Sequence, residues 1–147
     1  MKYLFENEEK TKELGRILES WLNTPFRHYS GVKGLGCDCI HLVARVFEEM
    51  GMGPFKIFQY PKDWHIHKVN DLLINGIKEQ LKVEEFSPEN PINGDIILFK
   101  FGKAASHSAL FYNGRIYHAV TNLKVLKTPW FDKIWYKRRY KIMRVLS

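Results

Sequence analysis

Cysteine, long apolar runs and acidic side chains are all scarce in this sequence. Its two cysteines, Cys37 and Cys39, are separated by one residue and cannot close the long loops of a disulfide scaffold. No apolar run reaches the length of a signal peptide or a membrane span, so we expect a cytoplasmic protein that needs another exit to act outside the cell. Asp and Glu number 16 against 23 Lys and Arg, and the net charge of +7 favours anionic partners.

The order of patterns along the chain predicts the fold class. Apolar spacing predicts helices over about 8–22 and 70–81, and the aromatic-rich segment 55–67 between them is expected to cover an edge of the core. From Gly94 onward the pattern changes to strands, which we predict at 96–101, 107–112, 115–120, 124–126 and 139–145. The chain has no linker, repeat or low-complexity tract. Helices followed by an antiparallel sheet predict one α+β domain over residues 1–147.

A glycine-rich turn leads into a helix that we predict to begin at Cys39. Asp38 occupies the N-cap position, and Gly51 ends the helix as a glycine C-cap does. Apolar side chains on most of its faces predict a buried helix. The Cys39 thiol would lie at the positive end of the helix dipole, which lowers a thiol pKa and favours the nucleophilic thiolate. The alternative is that Cys39 is a small core residue, the commoner role of a free cysteine.

The dipeptide Asn113-Gly114 predicts a two-residue hairpin turn, which decides which side chains share a sheet face. Opposed residues then have numbers that sum to 227, and alternation places His107 and His118 on one otherwise apolar face. The two histidines are diagonal neighbours, with Cβ atoms roughly 7 Å apart. We expect this face to pack against the helices. The order thiol, base and orienting group would then be Cys39, His107 and His118.

Two other kinds of site remain open at this point. Cys37, Cys39, His107 and His118 could supply four zinc ligands. Against this, Cys-x-Cys is not the usual zinc-knuckle spacing, and a helix cap between the two thiols would point them apart. The basic residues over 137–144 could bind nucleic acid, but basic side chains also protect a solvated edge strand from pairing, which we expect here.

Several segments, in this order and spacing, resemble the NlpC-type cell-wall peptidases, in particular short stand-alone members encoded by tailed phages. The matching segments are Thr-Pro-Phe at 24–26, Gly-Cys-Asp-Cys at 36–39 with Leu-Val at 42–43, Asn-Gly-Asp-Ile at 93–96, and the histidine strands at 106–110 and 116–119. Cysteine precedes histidine, as in these peptidases, whereas in the lecithin:retinol acyltransferase relatives histidine comes first. The resemblance implies a papain-like core of helices packed on a small antiparallel sheet or half-barrel.

The resemblance also implies an activity and a set of roles. It implies hydrolysis of amide bonds in murein stem peptides, commonly between D-γ-glutamyl and a diamino acid, without cofactor or metal. Cys39 would be the nucleophile, His107 the general base and His118 its orienter. Asp38 would help to hold the free amino end of the substrate, and Phe26 would contact substrate. Expected partners are peptidoglycan peptide fragments and phage tail proteins, with no nucleic acid, no membrane span and a possible place in the virion.

The sequence departs from the family pattern at three places. Phe26 lies where the family usually has a tyrosine, so a hydroxyl near the thiolate is missing. Ile40 and His41 replace a small Ser-Gly pair, and Cys37 replaces a bulky apolar residue. These departures concern rate and substrate preference more than fold. They also keep open a catalytically silent component of a phage tail tip as the alternative function.

Overall fold

The computed structural model describes residues 1–62, 72–102 and 104–147. The part of the aromatic segment that contains Trp64, His65 and His67 lies outside the described residues. The remainder packs as expected, because Phe55, Phe58 and Tyr60 lie against the main core.

Helices form where the apolar spacing predicts them. Their bounds are α1 (Glu8–Trp21), α2 (Cys39–Glu49) and α3 (Leu72–Gln80), with a 3-10 turn at Leu4–Glu6 before α1. Asn7 caps α1 by accepting a hydrogen bond from the backbone N–H of Lys10, and Asp38 caps α2 through the backbone N–H of His41. Gly51 follows α2 with a φ of +86°, a conformation that glycine adopts without strain. The predicted N-cap at Asp38 is therefore confirmed. None of the helices in the described ranges has the length and apolar character to cross a bilayer.

The predicted antiparallel sheet is present. The strand bounds are β1 (Gly31–Val32), β2 (Gly36–Cys37), β3 (Val83–Phe86), β4 (Ile96–Phe101), β5 (Ala104–Tyr112), β6 (Arg115–Ala119), β7 (Val125–Pro129) and β8 (Arg139–Val145). The main sheet has six strands in the order β3-β8-β4-β5-β6-β7, and a separate two-stranded sheet joins β1 and β2. The sequence analysis missed the short strands β1 to β3 and a short helix, α4 (Lys133–Tyr136).

The hairpin between β5 and β6 has the predicted register. Tyr112 pairs with Arg115, and the next two pairs along the strands keep the same sum of residue numbers. Asn113 and Gly114 have φ values of 48° and 78°, the two positive values that a type I′ turn requires. The alternation of side chains along β5 and β6 therefore follows from the turn.

The helices pack on the face of the sheet opposite to the one we expected. Leu110 and Tyr117 belong to the core that includes α1 and α2, whereas Phe111 and Ile116 belong to a second apolar cluster with Trp130. The expectation that the histidine face packs against the helices is therefore wrong. The segment around α4 supplies a second aromatic layer, so both faces of the sheet are covered. This also explains why β4 is a continuous apolar run with both its sides buried.

The basic residues of β8 do not lie on a sheet edge. β8 lies between β3 and β4, so the edge-strand explanation of its charges is wrong. Arg144 donates two hydrogen bonds of 2.9 Å to the buried carboxylate of Asp95, and Lys141 pairs with Glu85 at 2.7 Å. Arg144 and Lys141 of this strand therefore form ion pairs with carboxylates of the same chain.

Candidate active site

A cavity of about 500 Å³ lies where the start of α2 meets the start of β5. Four of the predicted site residues line it: Phe26, Asp38, Cys39 and His107. The fifth, His118, lies behind His107 and contacts it. The structure thus brings together all five residues that the sequence analysis named, although the helices cover the other face of the sheet.

Cys39 holds its thiol at the junction of α2 and β5. Its Sγ lies 3.9 Å from the carbonyl oxygen of Ser106, and the hydroxyl of Ser108 donates a 2.9 Å hydrogen bond to the carbonyl of Cys39. Cys39 is 9% exposed and lines the cavity, whereas Cys37 is fully buried outside it. Of the two thiols, Cys39 is the one that faces the cavity.

The expected low pKa of this thiol is not found. Burial, helped to a smaller extent by the negative charge of Asp38, raises the pKa of Cys39 to about 12. Hydrogen bonds with Ser108 and with the backbone of Cys39 lower this pKa, but the loss of hydration outweighs them. With this pKa, the thiol is protonated at neutral pH.

A chain of hydrogen bonds, here called the relay cluster, joins His107, His118 and Thr128. His107 Nε2 lies 2.9 Å from His118 Nδ1, and His118 Nε2 lies 2.9 Å from Thr128 Oγ1. The indole of Trp135 packs on His107 with 4.6 Å between ring centroids and meets His118 edge-on at 4.6 Å. The aromatic layer on this face of the sheet therefore surrounds the two imidazoles with apolar surface.

Both relay histidines are neutral near pH 7. Burial lowers the pKa of His107 well below its usual value, and burial lowers the pKa of His118 to about 4. Nδ1 of His107 makes no hydrogen bond to any described residue, while Nε2 is used by His118. No hydrogen bond joins the Cys39 thiol to His107 among the described residues. A neutral thiol and a neutral imidazole thus share one cavity.

A second set of hydrogen bonds, here called the cap cluster, joins Asp38, His41 and Tyr60. Asp38 Oδ1 accepts from the backbone N–H and from Nδ1 of His41, both at 2.9 Å. Oδ2 accepts from the backbone N–H of Tyr29 at 2.8 Å and from the hydroxyl of Tyr60. Burial alone would raise the pKa of Asp38, but the hydrogen bonds from His41 and Tyr60 lower it below its usual value. The four acceptor directions of this carboxylate are filled.

Sequence analysis missed Thr128, Trp135 and the partners of Asp38. The predicted strand at 124–126 stopped too early, because β7 extends to Pro129 and pairs Thr128 with Ile116. Extending that strand by alternation would have placed Thr128 on the face of His118. His41 was visible only as a departure from the family pattern, without a partner.

The zinc alternative finds no support in the geometry. Within the described residues, no group of three or more His, Cys, Asp and Glu side chains is placed to hold a metal ion. Asp38 lies between the two thiols and caps α2, and only one of these thiols reaches the cavity.

Comparison with protein families gives a match over most of the chain. The sequence profile of the NlpC/P60 family matches residues 23–144, a range that contains Cys39, both relay histidines and Thr128. The chain belongs to the NlpC/P60 family. Comparison with curated proteins gave no match.

Solved structures with the NlpC/P60 fold superpose on most of the chain at low sequence identity. A Staphylococcus aureus protein described as similar to a lipoprotein of the NLP/P60 family gives a TM-score of 0.65 at 17% identity, covering 96% of this chain and 43% of its own. The peptidoglycan hydrolase RipB from Mycobacterium tuberculosis gives a TM-score of 0.60 at 17% identity, and the match covers 95% of this chain and 66% of RipB. The NlpC/p60 domain of the peptidoglycan hydrolase SagA gives a TM-score of 0.61 at 12% identity, and the match covers 90% of this chain and 96% of that domain.

At these identities the superpositions establish the fold alone. The match to the Staphylococcus aureus protein spans less than half of that protein. The papain-like α+β arrangement expected from the sequence is thereby confirmed for this NlpC/P60 chain.

Proposed function

We propose that this NlpC/P60 chain is a cysteine peptidase that hydrolyses amide bonds in peptidoglycan peptides. The observation that carries the proposal is the pairing of one cavity-facing thiol, Cys39, with an imidazole whose far nitrogen is already held by a second histidine. This is the arrangement of nucleophile, base and orienter in which a base is aimed at a nucleophile.

The reaction begins from the neutral pair. As the substrate carbonyl enters, the Cys39 thiol gives its proton to Nδ1 of His107, and the sulfur forms a bond to the carbonyl carbon. The tetrahedral intermediate collapses by breaking the carbon–nitrogen bond, and the His107 imidazolium gives its proton to the leaving amine. His107 then takes a proton from water, and the hydroxide adds to the thioester carbonyl carbon. This second tetrahedral intermediate collapses by breaking the carbon–sulfur bond, the sulfur takes the proton back from the His107 imidazolium, and the carboxylic acid product leaves.

The start of α2 is suited to stabilise the developing oxyanion. Backbone N–H groups in the first turn of a helix have no intrahelical partner, and Cys39 is the first helical residue. Their positive partial charge matches an oxygen that becomes negative only in the transition state.

The substrate we propose is a soluble murein fragment cut between D-γ-glutamyl and a diamino acid. Asp38 lines the cavity with a negative charge, which would attract the substrate's amino end. Because its acceptor directions are filled from within, the amine would have to share Oδ2 with Tyr60 and Tyr29. The net charge of +7 would draw the chain toward an anionic wall, and the resemblance to short phage-type members favours a tail-associated or lysis role.

Mass spectrometry of digested murein tests this proposal. Wild-type protein should release diamino-acid-containing peptides, Cys39→Ala should release none, and Cys37→Ala should behave as wild type because that thiol does not reach the cavity. Identical product profiles from wild type and Cys39→Ala would overturn the enzyme proposal.

The second candidate is a catalytically silent tail component. Phe26 favours it, because this cavity-lining residue brings no hydroxyl to the thiol. Murein digestion separates the two candidates: an enzyme should hydrolyse murein and should also be labelled by iodoacetamide at Cys39 in preference to Cys37. A silent copy would leave murein intact.

A further inference from the structure

We propose that Thr128 is a positioning residue that holds the two relay histidines in the one proton arrangement in which His107 can act as a base. The inference rests on the proposed roles of Cys39 and His107. Its starting point is the 2.9 Å contact between Thr128 Oγ1 and His118 Nε2, at the end of the relay cluster farthest from the thiol.

The sheet itself places the Thr128 hydroxyl. In the ladder between β6 and β7, Thr128 pairs with Ile116 and Leu126 pairs with His118. Thr128 is therefore the diagonal neighbour of His118 on the same face, within the usual reach of such pairs. Backbone hydrogen bonds, rather than a mobile loop, set the position of this acceptor.

The relay cluster has two possible proton arrangements. In the first, His107 Nε2–H donates to His118 Nδ1 and His118 Nε2–H donates to Thr128, so His107 Nδ1 keeps its lone pair. In the second, every bond is reversed: Thr128 donates, and the single ring proton of His107 lies on Nδ1. Only the first arrangement lets His107 accept a proton from the thiol.

The charged state of the reaction allows only the first arrangement. Once His107 has taken the thiol proton, both of its nitrogens carry hydrogen, so Nε2–H must donate to His118 Nδ1. His118 then keeps its proton on Nε2, and Thr128 must accept. His118 is fully buried, so without that hydroxyl its N–H would be left unpaired, which is costly.

Little else around His118 could replace the hydroxyl. Its ring packs against the indole of Trp135 in a T-shaped arrangement, and its Nδ1 is engaged by His107. The charged group that acts on it is Asp132, whose carboxylate raises the His118 pKa from a distance while it caps α4. The Thr128 hydroxyl is therefore the direct acceptor for His118 Nε2.

Histidine ¹⁵N NMR tests the proton arrangement directly, on the full chain near pH 7. Wild type and Thr128→Ser should carry the ring proton of both relay histidines on Nε2, whereas Thr128→Val should lose this single arrangement. Thr11→Val is the control, because it removes a hydroxyl that hydrogen bonds to backbone carbonyls near α1. Wild-type tautomers in Thr128→Val would overturn the inference, as would Nδ1 protonation of His118 in the wild type.

The alkylation rate of Cys39 as a function of pH supplies the second readout. Thr128→Val should lower the rate near pH 7 by about tenfold and move the ascending limb to higher pH, while Thr128→Ser should stay near wild type. If Thr128 had a purely structural role, Thr128→Val would melt at a lower temperature, but the ascending limb of its alkylation profile would stay at the wild-type pH. That result would overturn the inference.

Failure of the proposed function gives a different result. In that case the wild type would not cleave murein, yet the tautomers and the alkylation profile would still respond to Thr128→Val. If the wild type cleaves murein and Thr128→Val matches it in tautomer, pH profile and rate, the function stands and the role of Thr128 does not.

Discussion

Two histidine-containing clusters flank Cys39, and they differ in where their charge lies. The relay cluster contains no carboxylate, and its histidines are neutral near pH 7. The cap cluster is built on an ionised carboxylate, Asp38, whose oxygens accept four hydrogen bonds. A neutral chain of hydrogen bonds can take up and return a proton, whereas a carboxylate surrounded by donors is held in place. This difference supports the proposed role of the first cluster in proton transfer, while the second cluster supports the helix start.

The two clusters also act on the thiol with opposite sign. The charge of Asp38 raises the Cys39 pKa and so opposes a thiolate. A proton on His107 would lower the Cys39 pKa, because an imidazolium beside the sulfur stabilises the negative charge of the thiolate. Thiolate should therefore form together with the imidazolium, and the rate should follow a bell-shaped profile whose limbs belong to the coupled pair.

The largest expected effect distinguishes His107 of the relay cluster from His41 of the cap cluster. His107→Asn should lower the rate of murein hydrolysis by about 10²- to 10⁴-fold, because it removes the proposed general base. His41→Asn should lower the melting temperature but reduce the rate less than tenfold, since His41 holds Asp38. Steady-state rates and thermal unfolding of both variants check this. Equal rate losses in the two variants would contradict a role in proton transfer for the relay cluster alone.

The pH dependence of stability should distinguish the clusters next. The pKa of His118 is about 4 in the folded protein, against 6.5 for an unperturbed histidine, so the unfolded chain binds more protons between these values. The contribution of neutral His118 to the free energy of unfolding is fully present above pH 6.5. It is lost as the pH falls to about 4, and the loss is roughly 3 kcal/mol at most. The contribution of Asp38, whose pKa lies below 3.8, is lost only below that pH. Denaturant unfolding from pH 7 to pH 3 should find a shallower loss between 6.5 and 4 in His118→Asn.

Asp38→Asn should weaken the fold and favour the thiolate. The new amide N–H₂ would face the Tyr29 N–H, so we expect a loss of about 1–3 kcal/mol in the free energy of unfolding. Removing the negative charge should also lower the Cys39 pKa. Asp95→Asn is the matched control, because it changes a carboxylate of similar burial that pairs with Arg144. It should lose stability without moving the thiol titration, and an equal shift in both variants would contradict the assignment.

The smallest expected effect concerns a hydroxyl that neither cluster supplies to the thiol. Phe26→Tyr should raise the hydrolysis rate by up to about fivefold, if its hydroxyl donates to the sulfur as it becomes negative. Phe26→Leu is the control, since it changes the shape of the cavity wall without adding a donor. A rate for Phe26→Tyr no higher than that for Phe26→Leu would show that the thiol does not lack a donor at this position.

Features that depend on neighbours along the chain could be predicted from the sequence. Asp38 caps α2 because a carboxylate one residue before a helix reaches its first free N–H groups, and Asn113-Gly114 forms its turn because both residues tolerate positive φ. These two local rules placed Cys39 at a helix start and His107 beside His118. The resemblance to the NlpC/P60 family supplied the roles.

What packs on each face of the sheet, and how far each group is buried, was decided only by the tertiary structure. The aromatic layer around Trp135 covers the histidine face, so the helices meet the opposite face. The Cys39 pKa rises because packing against residues distant in sequence removes hydration from the thiol, which the local sequence pattern does not reveal. Thr128 and Tyr60 become partners of His118 and Asp38 through strand pairing and loop packing. Sequence patterns therefore determined the local conformation of this protein, while burial and long-range contacts determined its electrostatics.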